Sequence, residues 1–362
     1  MNEIPTHISQ QWFSPEAKKL KTLAPIYLNL LLKQRGFNIN DFHIRALDTG
    51  ETSACYLLMH SEWPSVIKLK NTGAFAEAET LDTWYSQGVQ VPKVLDTGTV
   101  RDQANNSDIQ FLQLETICNQ NNDEIAPLGY EFIDANLSRA SELGNLMGKE
   151  LAKMHSASSA HVFGRFGDIQ GPVYPLWNGY LTDLLLQYRE YFLSKGITES
   201  QLRMLFKRLT KITFPEKGSY IHGDFGIHNI LVSQKQGIKV YVIDPDPQIG
   251  DPYFDVASIL FRLQISKIMY DLNPSNTEIA YQYTKFTNCY QSLIDSYFSH
   301  SPEQYDPQRS AIHRAITLLP KMANRERKLE MWIKDKRGDS ESYQAEIYAY
   351  RLFLLNAIGE LT

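Results

Sequence analysis

Three oxygen-bearing side chains flank two short apolar runs. Asp224 and Asn229 precede Ile230-Leu-Val232, and Asp244 follows Val240-Tyr-Val-Ile243. Runs of this length read as strands, and Lys235-Gln-Gly237 between them supplies turn residues. A hairpin is therefore expected, with the three side chains gathered at one end of the ribbon. One carboxylate near an Asn/Asp pair suits a proton acceptor beside a divalent cation held by hard oxygen ligands. Taken singly, an aspartate before a strand is most often a cap, and an asparagine a turn residue. Other chemistries fit less well. His222 and His228 flank Asp224 but lack helical H-x-x-x-H spacing, so zinc is disfavoured even with His155 or His161 added. No G-x-S-x-G elbow, phosphate-binding P-loop or convincing dinucleotide fingerprint occurs.

Upstream residues supply partners in a sensible order. Lys68 lies inside Val66-Ile-Lys-Leu69, where a lysine needs an anionic partner or must reach solvent. The helix expected over 74–87 carries Glu77 and Glu79, and Glu77 lies beside its packed face. Asp48-Thr-Gly-Glu-Thr-Ser53 separates two strands. A loop of this kind, through Gly50 to Ser53, can turn backbone N–H groups toward phosphate, although an ordinary hairpin turn competes with that reading. The strand at 109–117 ends in polar Cys118-Asn-Gln-Asn-Asn-Asp-Glu124, which marks a hinge. Backbone groups at Glu115 to Ile117 are then available to a base edge. Downstream, Asp251-Pro252 starts a helix and puts Asp255 in its first turn.

These residues need a scaffold of two parts. The chain has 362 residues, more than one small core usually supports. Residues 1–40 read as a helical segment that starts at Ser14-Pro15-Glu16 and packs through Leu20, Leu23, Tyr27, Leu30 and Leu31. Residues 41–117 alternate with period two and carry one helix. Residues 118–362 read mainly as helices, including one over 141–155 that ends in His155, placed there to suit the helix dipole. The charged stretch Met322 to Lys336 reads as a solvated helix face. The fold class is α+β. A net charge of -5 argues against a general nucleic-acid binder. Three scattered cysteines argue against a disulfide scaffold and suggest a reducing compartment. The N-terminus shows no secretory pattern, and no apolar run approaches the roughly 20 residues that span a bilayer, so a cytoplasmic protein without membrane contact is expected.

His222-Gly-Asp-Phe-Gly-Ile-His-Asn229 resembles the H-G-D-x-x-x-x-N loop of the aminoglycoside phosphotransferase family. Ile243-Asp-Pro-Asp246 and Gly250-Asp-Pro-Tyr-Phe-Asp-Val-Ala257 resemble its following I-D-x and G-D-P-x-x-D-x-A segments. The Lys68 strand, Glu77, the Phe111-Leu-Gln-Leu-Glu115 strand and the Met147 to His155 helix extend the resemblance over residues 43 to 260. The Phe163-Gly loop and the Asp-Pro after the strand are similar to the fructosamine-kinase branch.

The resemblance implies a protein-kinase-like two-lobe fold: a small antiparallel-sheet N-lobe, a hinge, and a large, mostly helical C-lobe, with ATP between them. It implies Asp224 as catalytic base, Asn229 and Asp244 as Mg²⁺ ligands, and Lys68 on the α/β-phosphates, fixed by Glu77. It further implies Gly50 to Ser53 over the phosphates and backbone near Glu115 and Ile117 at the base. His222 is expected to pack beneath the loop, and Asp255 to pin its backbone. Three departures stand out: the phosphate loop has one glycine, the family's usual glycine after the hinge is missing around Thr116 to Gln120, and Asp244-Pro-Asp246 replaces D-F-G, so activation-loop regulation is not expected. The implied activity is ATP- and Mg²⁺-dependent phosphoryl transfer to a hydroxyl of a small molecule, such as a sugar, amino sugar or amino alcohol. The alternatives are a non-catalytic nucleotide-binding regulator and a kinase acting on protein side chains. Asp168, Asp246 and Glu330 are candidates for an acidic acceptor pocket. The acceptor, the choice of ATP or GTP and the oligomeric state are not legible.

Overall fold

Period-two patterning after residue 42 builds the sheet that the sequence predicts. The computed structural model describes residues 15–47, 52–60, 64–102, 107–119, 124–157, 160–169, 171–336 and 338–361. Helix α1 (Pro15–Gln34) comes first. Strands β1 (His43–Leu47), β2 (Ser53–Met59), β3 (Ser65–Lys70), β4 (Val94–Asp102) and β5 (Ser107–Glu115) pair antiparallel in the order β1-β2-β3-β5-β4. Helix α2 (Ala74–Ser86) connects β3 to β4. The register sets Lys68 opposite Cys55 on one side and Leu112 on the other, so the lysine occupies a central strand. Leu20, Tyr27 and Leu31 of α1 pack with Tyr56, Ile67 and Phe111 of the sheet in one apolar cluster. The helical stripe read from the sequence is thus a core face.

The rest is mainly helical. Helices α3 (Gly129–Ala135) and α4 (Ala140–Ser156) precede strands β6 (Phe163–Gly164) and β7 (Val173–Tyr174). Helices α5 (Trp177–Gln187), α6 (Arg189–Ser194) and α7 (Glu199–Leu209) follow, then β8 (Ser219–Ile221), β9 (Ile230–Ser233), β10 (Lys239–Val242) and β11 (Gln248–Gly250). Strands β9 and β10 form the predicted two-stranded ribbon. Helices α8 (Tyr253–Leu272), α9 (Thr277–His300), α10 (Pro307–Ile316), α11 (Leu319–Lys334) and α12 (Ser340–Gly359) complete the chain. This is a mixed α/β fold with an antiparallel-sheet N-terminal region and a helical C-terminal part. None of the described helices is long and apolar enough to cross a membrane.

The chain folds as two compact units. The sheet unit comprises Met1–Ala126, Phe166–Gln170 and Ser233–Asp244; the helical unit comprises Pro127–Arg165, Gly171–Val232 and Pro245–Thr362. In the helical unit the second core runs through Trp177, Leu185, Phe192, Ile312 and Phe353. Its closest helix crossing, α4 on α9, depends on two glycines one turn apart. A Cβ on Gly144 would lie 2.0 Å from Cys289 O, and one on Gly148 2.4 Å from Leu293 O. The backbones approach closely only because neither residue has a side chain, and that crossing carries His155 and Tyr297 to within hydrogen-bond distance of each other. Gly148→Ala is expected to cost at least about 2 kcal/mol, at the upper part of the usual overpacking range, read as a lower urea midpoint at unchanged m-value.

Candidate active site

In the helical unit, the segment from His222 to Asn229 is shaped by its own backbone before any side chain acts. Gly223 has φ +75, the left-handed region that glycine enters at least cost. A Cβ there would also lie 2.3 Å from Asp246 O, where Asp246 N returns a hydrogen bond of 2.8 Å to His222 O. Asp255, in the first turn of α8, accepts from His222 N at 2.8 Å and from Gly223 N at 2.9 Å. His155 Nε2 lies 3.1 Å from the same carboxylate, and its Nδ1 2.9 Å from the Tyr297 hydroxyl. Asp255 therefore pins the loop, as expected. His155 is not merely a dipole-favoured end residue: it bridges α9 to Asp255. Burial pushes the Asp255 carboxyl up, but His155 and the backbone N–H of His222 outweigh it and hold the group below the usual range. His222 is buried, and its Nδ1 accepts from Asp224 N at 3.2 Å, a scaffold position.

Asp224 is surrounded by donors. Lys321 Nζ donates to its Oδ1 at 2.7 Å and to Gly223 O at 2.6 Å. Arg262 Nη2 reaches the same Oδ1 at 3.3 Å, and His228 Nε2 lies 3.2 Å from Oδ2. Burial opposes the charge, but the His228 hydrogen bond and the Lys321 and Arg262 cations hold Asp224 far below the ordinary carboxylate range. His228 itself is pushed down by burial and by Arg262. Asn229 Nδ2 donates to Asp224 O at 2.9 Å, which leaves Oδ1 as its free oxygen donor. His228, Arg262 and Lys321 also line a cavity of about 710 Å³.

The sheet unit holds the second cluster. Glu77 is fully buried and carries two lysines: Lys68 Nζ at 2.7 Å and Lys70 Nζ at 2.7 Å. Lys68 also donates to Asp244, whose backbone is left-handed at φ 57. Burial works against the Lys68 charge, but the Asp244 and Glu77 carboxylates overcome it and raise the pKa. The predicted pair Lys68–Glu77 is thus present, and Asp244 joins it. Asp168 accepts from Gly73 N at 2.7 Å and Ala76 N at 2.9 Å, so it caps the α2 terminus that presents Glu77.

The other predicted positions divide. Gly50 lies outside the described residues. Ser53 is buried at the start of β2, its hydroxyl 3.6 Å from Cys55 Sγ. Glu115 and Ile117 line a cavity of about 300 Å³ with Thr116, Cys118, Ser233 and Tyr241. Of the acidic pocket candidates, Asp168 is a helix cap in the sheet unit; in the helical unit Asp246 is held bidentately by Arg165 at 2.5 and 2.8 Å and Glu330 is exposed. The charged stretch 322–336 is solvated on one side, where Arg327, Glu330, Lys334, Asp335 and Lys336 are exposed, but not on the other. In α11, Glu326 is buried beneath Tyr191 and Lys195, and Arg325 grips Glu346.

Three residues that complete these clusters escaped sequence reading. Lys70 stands two residues from Lys68 and so shares its strand face, a signal that was legible. Arg262 lies seven residues after Asp255, on the same face of α8. Lys321 had no local signal, because its partner is 97 residues away.

A fructosamine kinase family model matches residues 27–297. The chain belongs to the fructosamine kinase family. It is a kinase of the class that phosphorylates small molecules. A candidate fructosamine-3-kinase from Haemophilus somnus 129PT is 18% identical, with 91% of this chain and 96% of that one covered at a TM-score of 0.52. A candidate aminoglycoside phosphotransferase from Ralstonia eutropha JMP134 is 14% identical, with 96% and 98% covered at a TM-score of 0.54. Both likenesses establish the fold. No curated protein is a significant match. Lys321, Arg325 and Glu346 lie beyond the residues that the family model matches.

The lowered carboxyls fix a pH dependence. A carboxylate with a folded pKa below its unfolded value of about 3.9 contributes stability that is present above that pH and lost as pH falls through the folded pKa. Urea unfolding is therefore expected to show stability falling below about pH 4. Asp255→Asn is expected to flatten that fall and, by turning an amide N–H toward backbone donors, to cost roughly 3 kcal/mol at pH 7.

Proposed function

We propose that this chain is an ATP- and Mg²⁺-dependent kinase that transfers the γ-phosphoryl group to a hydroxyl of a small molecule. The observation that carries the reading is Asp224 itself. It is held on a loop pinned by a buried carboxylate, kept ionised by surrounding donors, and placed so that those donors line a cavity large enough for a small acceptor. Phosphoryl transfer depends on positioning and charge neutralisation more than on covalent chemistry. An ionised Asp224 orients the acceptor hydroxyl and receives its proton as that oxygen bonds to the γ-phosphorus and the bond from phosphorus to the bridging oxygen breaks, releasing ADP.

Lys68, fixed by Glu77, serves the nucleotide phosphates, with Lys70 balancing the second face of Glu77. Gly50 to Ser53 cover the phosphates, and the backbone from Glu115 to Ile117 reads the base. Asn229 through Oδ1 and Asp244 through its carboxylate are hard oxygen donors, the set that fits Mg²⁺. When bound, Mg²⁺ supplies charge neutralisation on the phosphates. Cys55, Cys118 and Cys289 are thiols, which suits a reducing, cytoplasmic setting.

Incubation with Mg²⁺ and γ-labelled ATP and a panel of hydroxylated acceptors is expected to give a labelled small molecule. Asp224→Asn is expected to lower kcat by about 10²- to 10⁴-fold, the usual worth of a positioned base, with little change in nucleotide KM. Lys68→Met is expected to raise nucleotide KM. Absence of labelled product with every acceptor, together with ATP turnover unchanged by Asp224→Asn, would refute the assignment.

A further inference from the structure

The cavity beside Asp224 has an unequal supply of hydrogen-bonding groups. Its wall carries four cationic side chains, Arg262, Lys285, Lys321 and Arg325, and two carboxylates, Asp134 and Glu346. Asp224, next to the cavity, supplies a third carboxylate, and the set still holds one positive charge in excess.

Both wall carboxylates are already committed. Asp134 accepts from Lys285 Nζ at 2.7 Å and from the Tyr281 hydroxyl at 3.0 Å. Glu346 accepts from Arg325 Nε at 2.9 Å and Nη2 at 3.1 Å, and from the Tyr350 hydroxyl at 2.5 Å. The cations are not exhausted. A guanidinium has five N–H donors and an ammonium three. Among the described residues, Arg262 Nε is buried without a hydrogen-bond partner, and Lys285 donates to Asp134 alone. Lys285 is 3% exposed and sits 5.0 Å from the Phe286 ring centroid, so its charge is held in a largely apolar wall. Donors remain and acceptors are spent. A polycationic amino sugar would meet like charge and no uncommitted carboxylate. The one excess charge lies with Lys321 and Arg262 against Asp224, whereas Lys285 and Arg325, each paired with one carboxylate, contribute donors rather than net charge.

Resting on the kinase reading above, we infer that the acceptor bears an anionic group, a carboxylate or a phosphate, besides its reacting hydroxyl, and that Arg262, Lys285 and Arg325 receive it. Tyr130, Phe261 and Phe286 give the same cavity apolar surface for the remainder of the molecule.

The test is calorimetric titration of the full chain, without nucleotide, by three sets of probes. The anionic set is gluconate, phenyl glucuronide and glucose 6-phosphate. The neutral set is glucose, sorbitol and phenyl glucoside. The cationic set is glucosamine and kanamycin. The expected result is that an anionic probe binds at least tenfold more tightly than any neutral or cationic one. Whichever of carboxylate and phosphate leads then assigns the anion. Lys285→Gln and Arg325→Gln are each expected to cut that preference at least fivefold, and two separate variants keep the test decisive should one fail to fold. A neutral or cationic probe binding most tightly, no anionic probe binding, or a preference unchanged in the folded variants would overturn the inference. An anionic probe that binds as expected but is never phosphorylated with Mg²⁺ and ATP leaves this inference standing and counts against the kinase reading. Efficient phosphorylation of neutral or amino sugars in preference to anionic probes does the reverse.

Discussion

One buried carboxylate sets the geometry of the helical unit's site. Asp255 accepts two successive backbone N–H groups, from His222 and Gly223, and meets His155 on its other side. Backbone donors in a buried turn must find partners or cost the full penalty of desolvation. Asp255 satisfies both, and so fixes the turn from which Asp224 projects. The turn is available only because Gly223 tolerates a left-handed backbone against Asp246 O. The carboxylate is reachable only because α4 and α9 approach at glycines and bring Tyr297 and His155 together. A helix crossing thus defines the position of a side chain far from it in sequence.

The same tension between burial and charge recurs in both units. A buried ion is expensive unless it is paired and hydrogen-bonded. Glu77 is met by two lysines in the sheet unit, and Asp224 by a lysine, an arginine and a histidine in the helical unit. In each case the carboxylate is matched by opposite charge and hydrogen bonds, and for Asp224 these outweigh burial. Such arrangements cost stability if one partner is removed, but they keep a group in one protonation state in one position, which phosphoryl transfer requires.

Much of this was legible because it is local. The H-G-D-x-x-x-x-N stretch, the Asp251-Pro252 helix start with Asp255 one turn in, and a lysine in an apolar strand followed by a helix glutamate are all short-range patterns with a physical meaning. Period-two and helical spacing predicted the sheet, α1 and the run of C-terminal helices. Expectations failed where the partner was remote. Met322 to Lys336 is solvated along one side, as its composition predicts, yet on the other side Glu326 and Arg325 are bound by Tyr191, Lys195 and Glu346. Asp168, Asp246 and Glu330 had the right charge for an acidic pocket, but two are spent on a helix terminus and on Arg165, and the third faces solvent.

The sequence by itself determined the residue types that can carry phosphoryl-transfer chemistry and the elements that bear them, because the loop, caps and strand alternation act over a few residues. It also placed Lys68 with Glu77, since strand and helix adjoin. Only the tertiary structure decided what surrounds Asp224. Lys321, Arg262 and the donor-rich cavity wall come from α8, α9, α11 and α12, and their meeting depends on helix packing that no local pattern encodes. The character of that cavity wall, accordingly, is set by the fold and not by the motif.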